Sequence, residues 1–307
     1  MLPLATFAPK RASVVPLCVW AFVALAWGSS WIMNRINMAP GAFSPETAVF
    51  LRFLLASGAA WLFCLLTGRV PSKHIFMVNV RAAFPMFIFY AGLYQAERTI
   101  PGGLAATIQT LAAVVMILLG GLLKIEKIEW RTIGGSMIAF TGVAVVFGEK
   151  LTVSPGQATA ILVMTAATVA CGVSNTMLKR RRDEDDPFTS TTVFLTAMTV
   201  YLGVYGFWQQ GYLFPPTLPS QAVPAWVYQS VVTTLLAFGG YVYLTPRVSL
   251  AAMGALLFAE PLVAIVIDRL FEDPSLWVVT YTLWTYVGGA IVLLGIVPIA
   301  FRKPAAR

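Results

Sequence analysis

Ten long apolar runs separated by short polar breaks fill almost the whole 307-residue chain. They lie near 15–35, 46–66, 75–95, 101–123, 130–148, 156–178, 188–208, 223–244, 248–269 and 278–300. A helix needs roughly 20 mainly apolar residues to cross a hydrocarbon core of about 30 Å, and each run has that length. Only 11% of the residues are charged, against about a quarter in a soluble domain. The chain therefore reads as an all-α integral membrane protein with ten transmembrane helices. The third and eighth runs carry the weakest signal, because Pro85 interrupts one and threonine and tyrosine dilute the other. A β-barrel would alternate apolar and polar residues over segments of about ten, whereas "AAVVMILLGGLL" is apolar on every face. The first run is too long for the core of a secretory signal and lacks a small-residue cleavage site, so it counts as the first transmembrane helix.

The net charge of +8 follows the loops. Of the 21 lysines and arginines, 16 fall on the side that carries both termini, among them Lys10, Arg69, Lys124, the Lys179 to Arg182 run and Arg302. Four (Arg35, Arg98, Lys150 and Arg269) fall on the other side, and Arg52 lies inside a span. Basic loops stay in the cytoplasm, so both termini are expected there and the location expected is an inner (plasma) membrane. The basic balance then signals topology, with attraction to lipid headgroups as a by-product, and gives no reason to expect nucleic acid. Cys18, Cys64 and Cys171 lack the paired spacing of a disulfide framework or metal site. His74 is the only histidine. No Gly-rich phosphate loop is present, nor a serine with a plausible histidine partner. No cofactor, metal or enzymatic activity is expected.

One segment occurs twice. "WGSSWIMNRI" (Trp27 to Ile36) and "CGVSNTMLKR" (Cys171 to Arg180) share a glycine, a serine two residues later, a methionine and a basic end. "VFLR" (Val49 to Arg52) and "VFLT" (Val193 to Thr196) keep the same offset. "RTIPGGLAATIQTLAAVV" (Arg98 to Val115) aligns with "RVSLAAMGALLFAEPLVAI" (Arg247 to Ile265), and "GGSMIAFTG" (Gly134 to Gly142) with "GGAIVLLG" (Gly288 to Gly295). The whole half is repeated, giving five-helix units at 1–150 and 151–307 joined by "GEKLTVSPGQ" (Gly148 to Gln157). Five is odd, so the second half enters the membrane from the opposite side. Inverted repeats recur in secondary transporters, where two near-equal halves rock about a central site.

These segments together resemble the EamA type of the drug/metabolite transporter superfamily. The similarity rests on "WGSSWIMNR", on "PETAVFLRFLLAS" (Pro45 to Ser57), on "KIEKIEWRTIGGSMIAFTGVAVV" (Lys124 to Val146) and on the proline-containing ninth helix "FAEPLVAIVIDRLFED" (Phe258 to Asp273). The fourth helix departs from the pattern with Ala113 where the family often has proline, which predicts unequal kinks in the two halves. The resemblance implies a transporter of metabolites or amino acids, with export the commoner direction.

Ionisable groups held in lipid are functional candidates by default. Arg52 lies about 9 Å below one surface, and Glu260 about 12 Å below the same surface. At matched depth they could pair across the halves, either as a static packing pair or as a contact that breaks during rocking; Arg52 could instead snorkel to the interface. Trp27, Ser30 and Asn34 share one helix face, and Ser174 and Asn175 occupy the equivalent part of the sixth helix. Gly28 and Gly172 read as close-packing positions. Tyr90 and Tyr94 in the third helix and Tyr241 and Tyr243 in the eighth offer ring faces, while Trp130, Trp226 and Trp277 read as interface anchors. Gln109 and Thr110 add donors near mid-membrane. The "KRRRDEDD" run reads as a solvated loop. The substrate-binding candidates are thus Trp27, Ser30, Asn34, Arg52, Tyr90, Tyr94, Gln109, Ser174, Asn175, Tyr243 and Glu260.

One acid, one base and aromatic walls suit a neutral or zwitterionic solute, whereas a phosphorylated one would ask for two or more buried cations. The expectation is a monomeric secondary transporter that exports amino acids or similar solutes. Two alternatives stay open: uptake of a cationic or nucleobase-like solute, and, remotely, a membrane-embedded enzyme.

Overall fold

The structure, a computed structural model, describes residues 14–100, 102–127, 129–148, 155–179, 185–270 and 283–300. The basic residues near both termini, most of the linker between the halves, Arg180 to Arg182 and Trp277 lie outside these residues.

Ten helical rods run through the described residues. They are α1 (Val15–Asn37), α2 (Pro45–Leu66), α3 (Lys73–Ala96), α4 (Gly102–Gln109 and Leu111–Leu122), α5 (Trp130–Gly148) and α6 (Pro155–Lys179). The rest are α7 (Pro187–Gln210), α8 (Val223–Leu244), α9 (Leu250–Leu270) and α10 (Leu283–Ala300). Their starts follow local chemistry. Ser44, Ser72 and Asp186 each accept a backbone N–H of the first turn, from Thr47, Ile75 and Thr189, and Pro45 and Pro187 open their helices. Gly211 ends α7 with φ 77°, a left-handed conformation that glycine adopts without strain.

The fourth and ninth helices are unequal, as expected, but the break does not fall where the proline is. α4 is interrupted at Thr110 although it has no internal proline, whereas α9 runs unbroken through Pro261. α8 widens into a π-helical turn over Gln229–Leu236. There the Thr233 hydroxyl donates to the Gln229 carbonyl at 2.9 Å. Such wide turns re-aim side chains and recur at functional sites.

Helices pack across the halves more than within them. α3 lies on α6 and α8 on α1; α4 lies on α6 and α9 on α1; α3 meets α7 and α8 meets α2. Each contact becomes its partner when five is added to or subtracted from the helix numbers. The remaining main pairs, α2 with α7, α4 with α9 and α5 with α10, map onto themselves. This is the interlocked two-repeat architecture expected of an inverted five-helix repeat.

The glycines repeat the pattern atom by atom. A Cβ added at Gly28 would overlap Val263 and meet the Glu260 carbonyl at 3.0 Å; one at Gly172 would lie 2.6 Å from Val115 Cβ and 3.0 Å from the Ala112 carbonyl. Gly92 presses on Ala167 of α6, and Gly240 presses on Val23 of α1. Gly142 and Gly295 sit against the backbones of α10 and α5. In lipid the attraction between helices comes from close van der Waals approach, which small residues permit. The doubled glycine-serine segment is therefore first a pair of helix crossings, one per half.

Replacing Gly28 or Gly172 by alanine should lower the melting temperature in detergent, since overpacking costs about 1–3 kcal/mol. Gly58→Ala, where the new methyl meets nothing within 4 Å, should leave stability unchanged or raise it. A thermal melt of the three purified variants checks this; equal melting temperatures would contradict it.

Candidate functional site

Seven of the ten helices turn side chains into one cavity, lined by apolar and aromatic groups with a few convergent polar ones, as small-molecule sites are. α1 gives Trp27, Ser30, Trp31 and Asn34; α2 gives Arg52; α3 gives Met86, Phe89, Tyr90 and Leu93. α4 gives Gln109, α6 gives Cys171 and Asn175, α8 gives Phe238, and α9 gives Leu257 and Glu260.

The two charges do not meet. Arg52, 2% exposed, donates from Nε to Thr234 Oγ1 and from Nη2 to Thr233 Oγ1, the latter at 3.2 Å. Its guanidinium also lies over the rings of Tyr90 and Phe53, 5.3 and 5.8 Å from their centroids. Hydroxyls of the π turn and two ring faces thus hold the cation. Glu260 is 3% exposed; its Oε2 accepts from Gln109 Nε2 at 3.1 Å, and its Oε1 has no partner. The pairing that matched depth suggested is absent, because depth along a helix does not set the direction in which a side chain points.

The walls are aromatic. Trp27 donates from its indole N–H to the Thr233 carbonyl at 3.0 Å and packs on Phe238 and Tyr241. Tyr90 packs edge-on against Phe53 and Phe89. Asn175 donates to Cys171 Sγ at 3.4 Å while its Oδ1 has no partner. Two buried polar atoms, on Glu260 and Asn175, are therefore left without protein partners in residues that line one cavity, where a polar solute could satisfy them.

The end of the bundle at which α1 begins is tied across the halves. Lys179 Nζ, at the end of α6, lies 3.1 Å from Glu126 Oε1 in the α4–α5 turn and also donates to the Val248 carbonyl. Glu126 Oε2 accepts the Leu250 N–H at 2.9 Å, capping α9. First-half loop and second-half helices are joined there by one carboxylate.

The EamA-like transporter family matches residues 15–148 and 158–301, one match per half. The chain belongs to this family. An uncharacterized transporter of Archaeoglobus fulgidus is 24% identical over 285 residues, covering 90% of this chain and 96% of its own. A probable terminal-alkyne amino-acid exporter of Streptantibioticus cattleyicolor is 26% identical over 308 residues, covering 94% and 95%. A solved crystal structure shares the fold with a TM-score of 0.75 at 14% identity, over 94% of this chain and 96% of the other. The protein is a transporter of this family, spanning the membrane several times, and not an enzyme.

Of the residues singled out in this EamA transporter's sequence, Trp27, Ser30, Asn34, Arg52, Tyr90, Gln109, Asn175 and Glu260 line the cavity together. Three stand elsewhere. Tyr94 lies behind the wall and donates to Asn34 Oδ1 at 2.9 Å. Ser174 donates to the Ala82 carbonyl at 2.7 Å and ties α6 to α3. Tyr243 lies under the Arg247 guanidinium, 4.0 Å from its ring centroid, at the tied end of the bundle. Sequence reasoning missed Trp31, although it follows Trp27 by one turn, and gave Cys171 no place in a site. It also missed Thr233 and Thr234, whose alignment on Arg52 depends on the π turn. The acidic end of "KRRRDEDD" is more than a solvated loop: Asp186 caps α7 and pairs with Arg69 at 2.7 Å, and Asp185 lies 3.4 Å from His74.

Glu126→Ala should destabilise the fold by about 2 kcal/mol, because Lys179 loses its carboxylate contact at 3.1 Å and α9 loses its cap. Glu126→Gln, which keeps an acceptor for Leu250, should lose less. Thermal melts in detergent separate the two; equal losses would contradict the capping role.

Proposed function

We propose that this EamA transporter exports an amino acid or a similar zwitterionic solute by alternating access of the central cavity. The observation that carries the reading is that Arg52 and Glu260 line one cavity without neutralising each other. A solute with a carboxylate and an ammonium group supplies what each lacks: a carboxylate in direct contact with the guanidinium, and a donor for Glu260 Oε1. Trp27, Tyr90 and Phe238 give an apolar or flat side chain a surface to pack on, and Ser30, Asn34, Gln109 and Asn175 add hydrogen-bonding groups. Tyr94, Ser174 and Tyr243 then act from outside the cavity. The relative from Streptantibioticus cattleyicolor, described as a probable amino-acid exporter, supports both solute class and direction.

The charge bias of the loops supports an inner-membrane location with both termini in the cytoplasm. In that orientation the Lys179–Glu126 tie joins the halves on the cytoplasmic side. The repeats 1–150 and 151–307 supply matching elements to the two sides of the path, and a monomer suffices because one chain encloses it.

Counterflow in proteoliposomes, offered a pool of labelled amino acids, tests the proposal. Purified protein should accumulate at least one of them, and Trp27→Ala should cut the initial rate about tenfold, the equivalent of 1.4 kcal/mol of lost contact. Accumulation of cationic amines but of no amino acid would replace this reading with cation transport through Glu260.

A further inference from the structure

Immediately beyond the last residue of α3 stands Glu97, a carboxylate in neither repeated segment. One of its oxygens, Oε1, is shut off from solvent and has no hydrogen-bond partner; the other accepts from Asn34 Nδ2 at 3.2 Å. Asn34 in turn lines the cavity. Its Oδ1 accepts from Tyr94 and from Gln229 Nε2, and Gln229 Oε1 accepts from Asn37 Nδ2 at 2.8 Å. The cluster thus joins α1, α3 and the π turn of α8 at the end of the bundle opposite the Lys179–Glu126 tie.

The charged groups facing Glu97 are Arg35 on α1 and Arg52 on α2, with Tyr94 on its own helix; α8 reaches the cluster with the uncharged Gln229. The next cation along, Arg98, is committed to Glu46, with contacts of 2.7 and 2.9 Å. We propose that Glu97 is a proton-binding site joined to the solute cavity through Asn34. The carboxyl already has a vacant, water-excluded oxygen on which a proton can reside. Burial pushes it up to about 7, against the pull of Arg35, the Asn34 amide and Arg52, whereas an unperturbed glutamate titrates near 4.3. Above that midpoint the carboxylate holds the Asn34 amide and offsets part of the Arg52 charge. Below it, both effects are lost. A carboxylate-bearing solute at Arg52 and a proton at Glu97 therefore favour each other's binding.

The test needs no solute, so it stands apart from the amino-acid reading. Infrared difference spectra of the reconstituted protein, titrated from about pH 5 to pH 9, should show a protonated-carboxyl band with its midpoint near 7. Glu97→Gln should remove that component and Glu260→Gln should leave it. Asn34→Ala should move the midpoint upward, since it removes a hydrogen bond to the ionised form, and this arm holds should Glu97→Gln fail to fold. A component that survives Glu97→Gln, or a midpoint that Asn34→Ala leaves in place, would overturn the proposal.

Discussion

A guanidinium buried among hydrocarbon must be held or neutralised, and in this chain it is held. Arg52 is gripped by two threonine hydroxyls and two ring faces instead of a carboxylate. Isolated charges in low dielectric are costly unless dense hydrogen bonding replaces water. The π turn of α8 is part of that replacement: it brings Thr233 and Thr234 to bear on the guanidinium, and the Thr233 carbonyl anchors Trp27. Had Glu260 reached Arg52, the pair would have closed the middle of the bundle. Instead Glu260 leans on Gln109, and space remains between opposite charges.

The frame that keeps the space open is the repeat itself. Crossings such as Gly28 on Val263 and Gly172 on Val115 come in twos, because the same packing solution is used by each half. Close backbone approach at α1–α9, α4–α6 and α5–α10 leaves the cavity to the longer side chains between them. The asymmetry lies in the polar groups. Glu260 of the second half matches Ala112 of the first in the aligned repeats, and a charged pair, Lys179–Glu126, ties one end while amide contacts such as Asn37–Gln229 join the halves at the other. Two near-equal halves with unequal ends are what alternating access requires.

Much of this was legible in the sequence. The ten apolar runs predict the ten rods to within a few residues at most described ends, and the odd number of helices per repeat predicts the inverted packing. The face bearing Trp27, Ser30 and Asn34 was visible from helical spacing, and Arg52 and Glu260 from their cost in lipid. What escaped depends on rotation and on distant partners. The proposed Arg52–Glu260 contact was inferred from depth alone, and depth says nothing of azimuth. The break at Thr110 has no proline to announce it, and a π turn leaves no periodic signature. Nothing in the sequence singles out Glu97 or Glu126; the fold places Asn34, Lys179 and Leu250 beside them.

The central claim is that two unpaired charges recognise the two ends of one zwitterion. Calorimetric titration of the purified protein with an apolar amino acid, its N-acetyl derivative and the amine left by removing its carboxylate tests this most directly. The account predicts that the amino acid binds and that each derivative binds at least tenfold more weakly, since each leaves one buried charge without its partner. An amine that binds as tightly as the amino acid would contradict it, leaving Arg52 a structural cation and Glu260 the only group that reads charge.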